Sequence, residues 1–174
     1  QAQIELAELK SFSGHELMPW DLMYYSEKLK QKKFSYKRSD LTPYFPEDSV
    51  LSGLFSTIEK LYDISFAEIE EDTYHPDVKV LEIKDKTSVI GRIYLDVYSR
   101  ENKRGGAWMS DYQSLFKENL PVAFVVCNLN TPTEGKPALF EFDEIVTLFH
   151  EFGHALHHIL TKVPFPSAAG ISGV

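Results

Sequence analysis

"DEIVTLFHEFGHALHHILTK", residues 143–162, is the stretch on which the fold turns. Ile145, Leu148, Phe149, Phe152, Leu156, Ile159 and Leu160 recur at three- and four-residue spacings, which is the pattern of one buried helix face. Asp143 is suited to cap the N-terminus, and Pro164 and Pro166 block continuation, so a helix is expected from Asp143 to Lys162. Such a helix needs a surface to lie on.

The preceding sequence supplies one. In "SVIGRIYLDVYSR" (88–100), Ile93, Leu95 and Val97 alternate with Arg92, Tyr94, Asp96 and Tyr98, the two-residue period of a strand with one buried face. The polar-aromatic side reads as a wet face or as the lining of a channel. "VKVLEIKD" (78–85), joined to it through Lys86 and Thr87, completes a hairpin. "PVAFVVCNLN" (121–130) is a continuous Val-rich run suited to a strand covered on both sides. These make a small sheet of about three strands.

Residues 1–72 read as mainly helical. "QAQIELAELKSF" opens with a helical pattern and no start signal, which suggests a segment excised from a longer chain. "MPWDLMYYSEKLKQKK" (18–33) puts Pro19 in a first turn and Trp20, Met23, Tyr24 and Leu29 on a rough helical period, ending near Lys33. After the break "LTPYFP", Leu51, Leu54, Phe55, Ile58 and Tyr62 mark a further apolar face, with Glu47 and Asp48 favouring its N-terminus. The expected class is α+β, predominantly helical, with residues 73–130 forming sheet and loop, and 1–174 one segment of a larger catalytic domain.

Bulk properties narrow the function. At 174 residues, 43% apolar and 13% aromatic, the chain is long enough for one sizeable core. A net charge of −8 argues against a nucleic-acid surface, and no run has the length or apolarity of a membrane span or signal peptide. Cys127 is the single cysteine, so no internal disulfide is needed and the cytoplasm is the simplest location, although a leader upstream of Gln1 would not be seen.

The chemistry sits on the 143–162 helix. Side chains four apart share one side of a helix, so His150 and His154 are placed to hold one zinc ion. Glu151, rotated by about 100° from His150, lies beside the metal position, where a general base is needed. In this H-E-x-x-H arrangement zinc activates water and polarises a carbonyl while the glutamate moves the proton, which is amide hydrolysis. Gly153 removes a side chain near the metal. A catalytic zinc takes three protein ligands, and a helical turn of about 5.4 Å keeps His158 from joining the other two. His157 and His158 are assigned to the surface or to support, and Asp143 and Glu144 lie too far back. Cys127 is an alternative thiolate ligand, or simply a small buried hydrophobe. Otherwise the third ligand is a glutamate from a later helix, beyond Val174.

"YLDVYSRENKRGGAWM", "CNLNTP", "GKPALFEFDEIVTLFHEFGHALHHIL" and "GISGV", with "PWDLMYYSEK", "LTPYFP" and "HPDVKVLEI" in the same order, resemble the thimet oligopeptidase family of zinc metallopeptidases over nearly the whole chain. The resemblance implies a zincin-like active-site helix in a cytosolic enzyme that cuts short peptides in a deep channel between two mostly helical lobes. It also implies His150 and His154 as ligands to one zinc and Glu151 as the catalytic glutamate. The third ligand would be a glutamate a few residues after "GISGV", and the groups that steady the intermediate would lie further on. An isolated segment would then be nearly inactive and bind zinc weakly.

Rival readings are a non-catalytic helical scaffold and a different zinc hydrolase built on Cys127. "ENKRGGAWM" lacks phosphate-loop spacing, and the resemblance makes it a loop near the channel. A peptide substrate is expected along a sheet edge, with no particular strand indicated. His75, before Pro76, suits a turn, and His15 is assigned nothing. Apolar faces left uncovered in an excised segment would favour self-association.

Overall fold

The computed structural model describes residues 1–35, 40–133 and 135–173. The chain divides into two compact units, residues 1–41 and 42–174.

In the first unit, α1 (Ala2–Ser13) pairs with α2 (Leu22–Phe34), which is entered through a 3₁₀ turn at Pro19–Asp21. A Lys33–Glu8 ion pair of 2.6 Å and an edge-to-face Phe12–Tyr25 contact link the helices. Three residues expected in a core, Trp20 in the 3₁₀ turn and Met23 and Tyr24 in α2, are not there. Trp20 is 74% exposed, Met23 85% and Tyr24 59%, because a two-helix pair covers only one side of each helix and their side faces outward.

The second unit is a sheet covered on one face by two helices. α3 (Glu47–Tyr62) begins after a short pairing in which Glu47 N–H donates to Ala138 O and Phe140 N–H to Phe45 O. Five strands follow: β1 (Ser65–Ile69), β2 (Lys79–Lys84), β3 (Val89–Tyr98), β4 (Trp108–Gln113) and β5 (Val122–Leu129), in the order β1-β2-β3-β5-β4. The β2–β3 hairpin forms as expected, its turn closed by the Asp85 carboxylate accepting from the Thr87 and Ser88 N–H groups. β3 and β5 run parallel, and the other pairs are antiparallel.

The expectation of three strands is corrected to five. β1 falls inside the stretch read as helical, and β4 inside the stretch read as loop. Both are edge strands, which are short and carry more polar side chains because neighbours cover them on fewer sides, so the alternation that marks a central strand is weak in them. Sequence did place β5 as an interior strand: it lies between β3 and β4, with Ala123, Val125 and Cys127 fully buried.

α4 (Phe142–Ile159) packs across β3, β5 and β4. Its N-cap is Glu141 rather than Asp143: the Glu144 carboxylate accepts from Glu141 N–H at 2.7 Å, and Asp143 sits in the first turn, where its charge favours the helix dipole. The helix ends at Ile159, short of Lys162, and a 3₁₀ turn at Pro166–Ala168 follows. Leu148, Phe152, Ala155, Leu156 and Ile159 point inward, whereas Phe149 lies outside the core stripe. Phe152 closes an aromatic cluster with Phe55 of α3 and Phe66 of β1, at ring separations of 4.9–5.9 Å, and so ties three elements at the level of Glu151. Among the described residues no helix is long and apolar enough to cross a membrane.

The opposite sheet face, read as wet or as a channel lining, is covered at Asp96 and Tyr98, while Arg92 and Tyr94 stay partly exposed. Asp96 is 2% exposed and Tyr98 8%, and the segment after β1 folds back so that Tyr74 Oη donates to Asp96 at 2.8 Å and Tyr94 Oη to Glu71 at 2.8 Å. Tyr98 donates to the buried Glu47 carboxylate, which also pairs with Lys79. His75 occupies a turn, its carbonyl accepting from Val78 N–H, as its position before proline suggests.

Candidate metal centre

Phe152, fully buried, sets the rotation of α4, and its neighbours in sequence follow from that. With Leu148, Phe152 and Ala155 directed inward, His150 and His154 emerge on the exposed side, and Glu151 is partly covered. The two imidazoles converge: Nε2 of His154 lies 3.0 Å from Nε2 of His150, with ring centres 4.6 Å apart and planes at 89°. Two nitrogens each about 2.0–2.1 Å from a tetrahedral zinc ion stand about 3.3 Å apart, so this pair is close to the spacing of two ligands on one ion. The donor set suits zinc, which takes neutral imidazole nitrogen readily.

Among the described residues no group of three or more His, Cys, Asp or Glu side chains is placed to hold a metal ion. Cys127 is not near to doing so. Its side chain is enclosed in the hydrophobic core, and burial, then the negative charge of Glu151, push its thiol up to about 12. That is the setting of a small apolar residue rather than a thiolate. At Gly153 a Cβ would meet nothing within 4 Å, and the residue opens onto a cavity of about 440 Å³ shared with Tyr62, Leu156 and Thr161.

His157 is exposed, but His158 is fully buried. Its Nε2 lies 2.8 Å from the carbonyl oxygen of Gln113, at the end of β4. β4 packs against α4, and its Trp108 end pairs with Val126 of β5. Among the described residues β4 pairs with β5 alone, and its other backbone edge carries no strand.

The loop entering β4 is held by residues that pattern reading missed. Asp96 accepts two hydrogen bonds from Arg100, at 2.7 and 2.8 Å, and one from Lys103 at 2.8 Å. Lys103 also donates to the Tyr98 and Asp96 carbonyls, and Asn128 Nδ2 donates to the Arg104 and Gly106 carbonyls at 2.8 and 2.6 Å. Burial opposes ionisation of Asp96, yet these donors outweigh it and hold the carboxyl at about 2. Lys103 is thus committed to the loop rather than to a phosphate. A signal existed in the strand's own pattern, since an Asp on the face of β3 followed by Arg and Lys four and seven residues later is a set of charges able to pair.

The profile of peptidase family M3 matches residues 1–173. Oligopeptidase A of Escherichia coli is 47% identical over 186 residues, covering all of this chain and 27% of that protein. Oligopeptidase A of Haemophilus influenzae is 45% identical with the same coverage, and the dipeptidyl carboxypeptidase of Escherichia coli is 38% identical, covering 97% of this chain and 26% of that protein. The chain spans about a quarter of the length of these relatives. Full-length agreement with the family profile, together with a histidine pair converging on one point beside a glutamate, places this chain in peptidase family M3.

Proposed function

We propose that this chain is the metal-holding core of a zinc oligopeptidase that hydrolyses internal amide bonds of short peptides in the cytoplasm. The observation that carries the reading is the 3.0 Å approach of His150 Nε2 to His154 Nε2 with Glu151 on the same helical turn. His150 and His154 would hold the zinc through their converging imidazoles. When bound, zinc supplies Lewis acidity, polarising the scissile carbonyl and making water acidic enough to be a nucleophile near neutral pH. Glu151 takes the proton from the attacking water and delivers it to the departing amide nitrogen. The free edge of β4 runs beside α4 and offers backbone groups to an extended peptide, which aligns the bond to be cut along the helix. The names of the oligopeptidase A relatives support short peptides as substrates.

The third ligand comes from a part of the enzyme outside these 174 residues, which accords with the two-histidine set and with the quarter of the relatives' length covered here. The isolated segment is therefore expected to bind zinc weakly and turn over little or no peptide. The test is Glu151→Gln in the full-length enzyme: peptide hydrolysis is lost and zinc is retained. Full activity in that variant removes Glu151 from the mechanism.

A further inference from the structure

His158 combines features that ordinary packing does not call for. It is fully buried in the last turn of α4, one turn beyond His154, in a position where an apolar side chain would fill the space without polar atoms to satisfy. Because the Gln113 carbonyl only accepts, Nε2 carries the proton and donates to it. Nδ1 is then an acceptor, and it has no hydrogen-bond partner among the described residues. On that side the chain returns: Gly170, at φ +54°, approaches so closely that a Cβ would lie 2.8 Å from His158 Cα and 3.1 Å from Nδ1. Gly170 N–H is itself held by Thr161 Oγ1 at 3.2 Å. The ring is gripped between the end of β4 and the Gly170 turn, with one directed bond.

That bond joins the two elements whose spacing matters for cleavage. β4 packs alongside α4, with its Gln113 end tied to His158. Hydrophobic contact alone leaves a helix free to slide slightly over a strand, whereas a hydrogen bond to a single carbonyl fixes the register. We propose that His158 is a positioning residue for peptide hydrolysis: by donating from Nε2 to the Gln113 carbonyl it sets the height of the β4 edge relative to His150, Glu151 and His154. The inference rests on the proposed peptidase reading and on β4 as the strand that holds the peptide.

The experiment compares His158→Phe, His158→Gln and His158→Asn in the full-length enzyme. Phe keeps a flat ring of similar size without the donor, Gln can bring an amide N–H to the place of Nε2, and Asn is too short to do so. With a fluorogenic oligopeptide, kcat for Phe and Asn should fall about 10- to 100-fold, the scale of a misplacement near 1 Å. Gln should recover most of the rate, while zinc content stays at one per chain in all three. A second readout needs no turnover: in a Glu151→Gln background, affinity for the same peptide should weaken with Phe and Asn and return with Gln. Wild-type rate and affinity in the Phe variant, equal losses in Gln and Asn, or loss of zinc along with activity would each overturn the proposal. Should Phe not fold, the Gln–Asn comparison still decides. Failure of the peptidase reading shows separately, as full activity in Glu151→Gln with His158 intact.

Discussion

Replacing Gly91 by alanine should loosen the seat of α4, against the usual trend for that exchange in a strand. In an ordinary strand, exchanging Gly for Ala stabilises by about 0.5–1 kcal/mol through the unfolded chain and added contact. Here a Cβ would lie 2.8 and 2.9 Å from Ile159 Cγ2 and Cδ1 and 2.9 Å from the Pro121 carbonyl oxygen. Ile159 is 3% exposed and cannot swing out, and Pro121 O accepts from Arg92 N–H at 3.1 Å, so the backbone contact cannot open without breaking the β3–β5 junction. Overpacking of this kind costs about 1–3 kcal/mol. The strain falls on the C-terminal turn of α4, where hydrogen–deuterium exchange in the full-length enzyme would read it: about 2 kcal/mol of local destabilisation corresponds to roughly 30-fold faster exchange. Adding Ile159→Val, which removes one of the two clashing methyl groups, should recover part of the loss. Unchanged or slower exchange in Gly91→Ala would refute the claim that bare backbone at this position lets the helix lie down on the sheet.

Acid should weaken the loop that leads into β4. Asp96 has its carboxyl held at about 2, below its ordinary value of 3.8, so its ionised form stabilises the fold fully above 3.8 and this contribution, about 2 kcal/mol by linkage, is lost as pH falls through 2. Asp96→Asn should be less stable at neutral pH and show a flatter acid-unfolding profile between pH 4 and 2. Cys127, with its thiol pushed up to about 12 by burial and the Glu151 charge, should resist alkylation at pH 8 in the native enzyme and react on denaturation; rapid native labelling would contradict its placement. Phe152→Ala, which empties the ring that meets Phe55 and Phe66, should cost about 3–5 kcal/mol and lower zinc retention together with thermal stability, as read by calorimetry and metal analysis.

The elements legible in the sequence are those that meet the core on a regular period. α3, α4 and the β2–β3 hairpin repeat apolar residues at the spacing their geometry demands, β5 is a continuous apolar run of strand length, and the sequence locates each to within a few residues. The edge strands β1 and β4 were not legible, because half of their surroundings is solvent or loop, and their sequences "SFAEI" and "WMSDYQ" mix polar with apolar side chains. The alternation of Asp96 and Tyr98 with apolar residues gave the right strand but not the burial of these two side chains. Period shows which side chains share a face, but burial of that face depends on the segment around Tyr74, which reaches it from outside the strand. The convergence of His150 and His154 was legible because a helix converts a four-residue spacing directly into proximity. His158 was not, since its partner Gln113 lies 45 residues away and nothing local marks the contact. Trp20, Met23 and Tyr24 show the converse: a helical period is present, but among the described residues of 1–41 no further element covers that side.

Anomalous diffraction at the zinc edge from crystals of the zinc-loaded full-length enzyme is the most direct measurement of the central claim. A single peak is expected about 2.0–2.1 Å from both His150 Nε2 and His154 Nε2, on an unbroken α4, with the Glu151 carboxylate alongside and outside bonding distance. A peak elsewhere, or one bonded to only one of the two rings, would contradict the assignment of this helix as the metal centre.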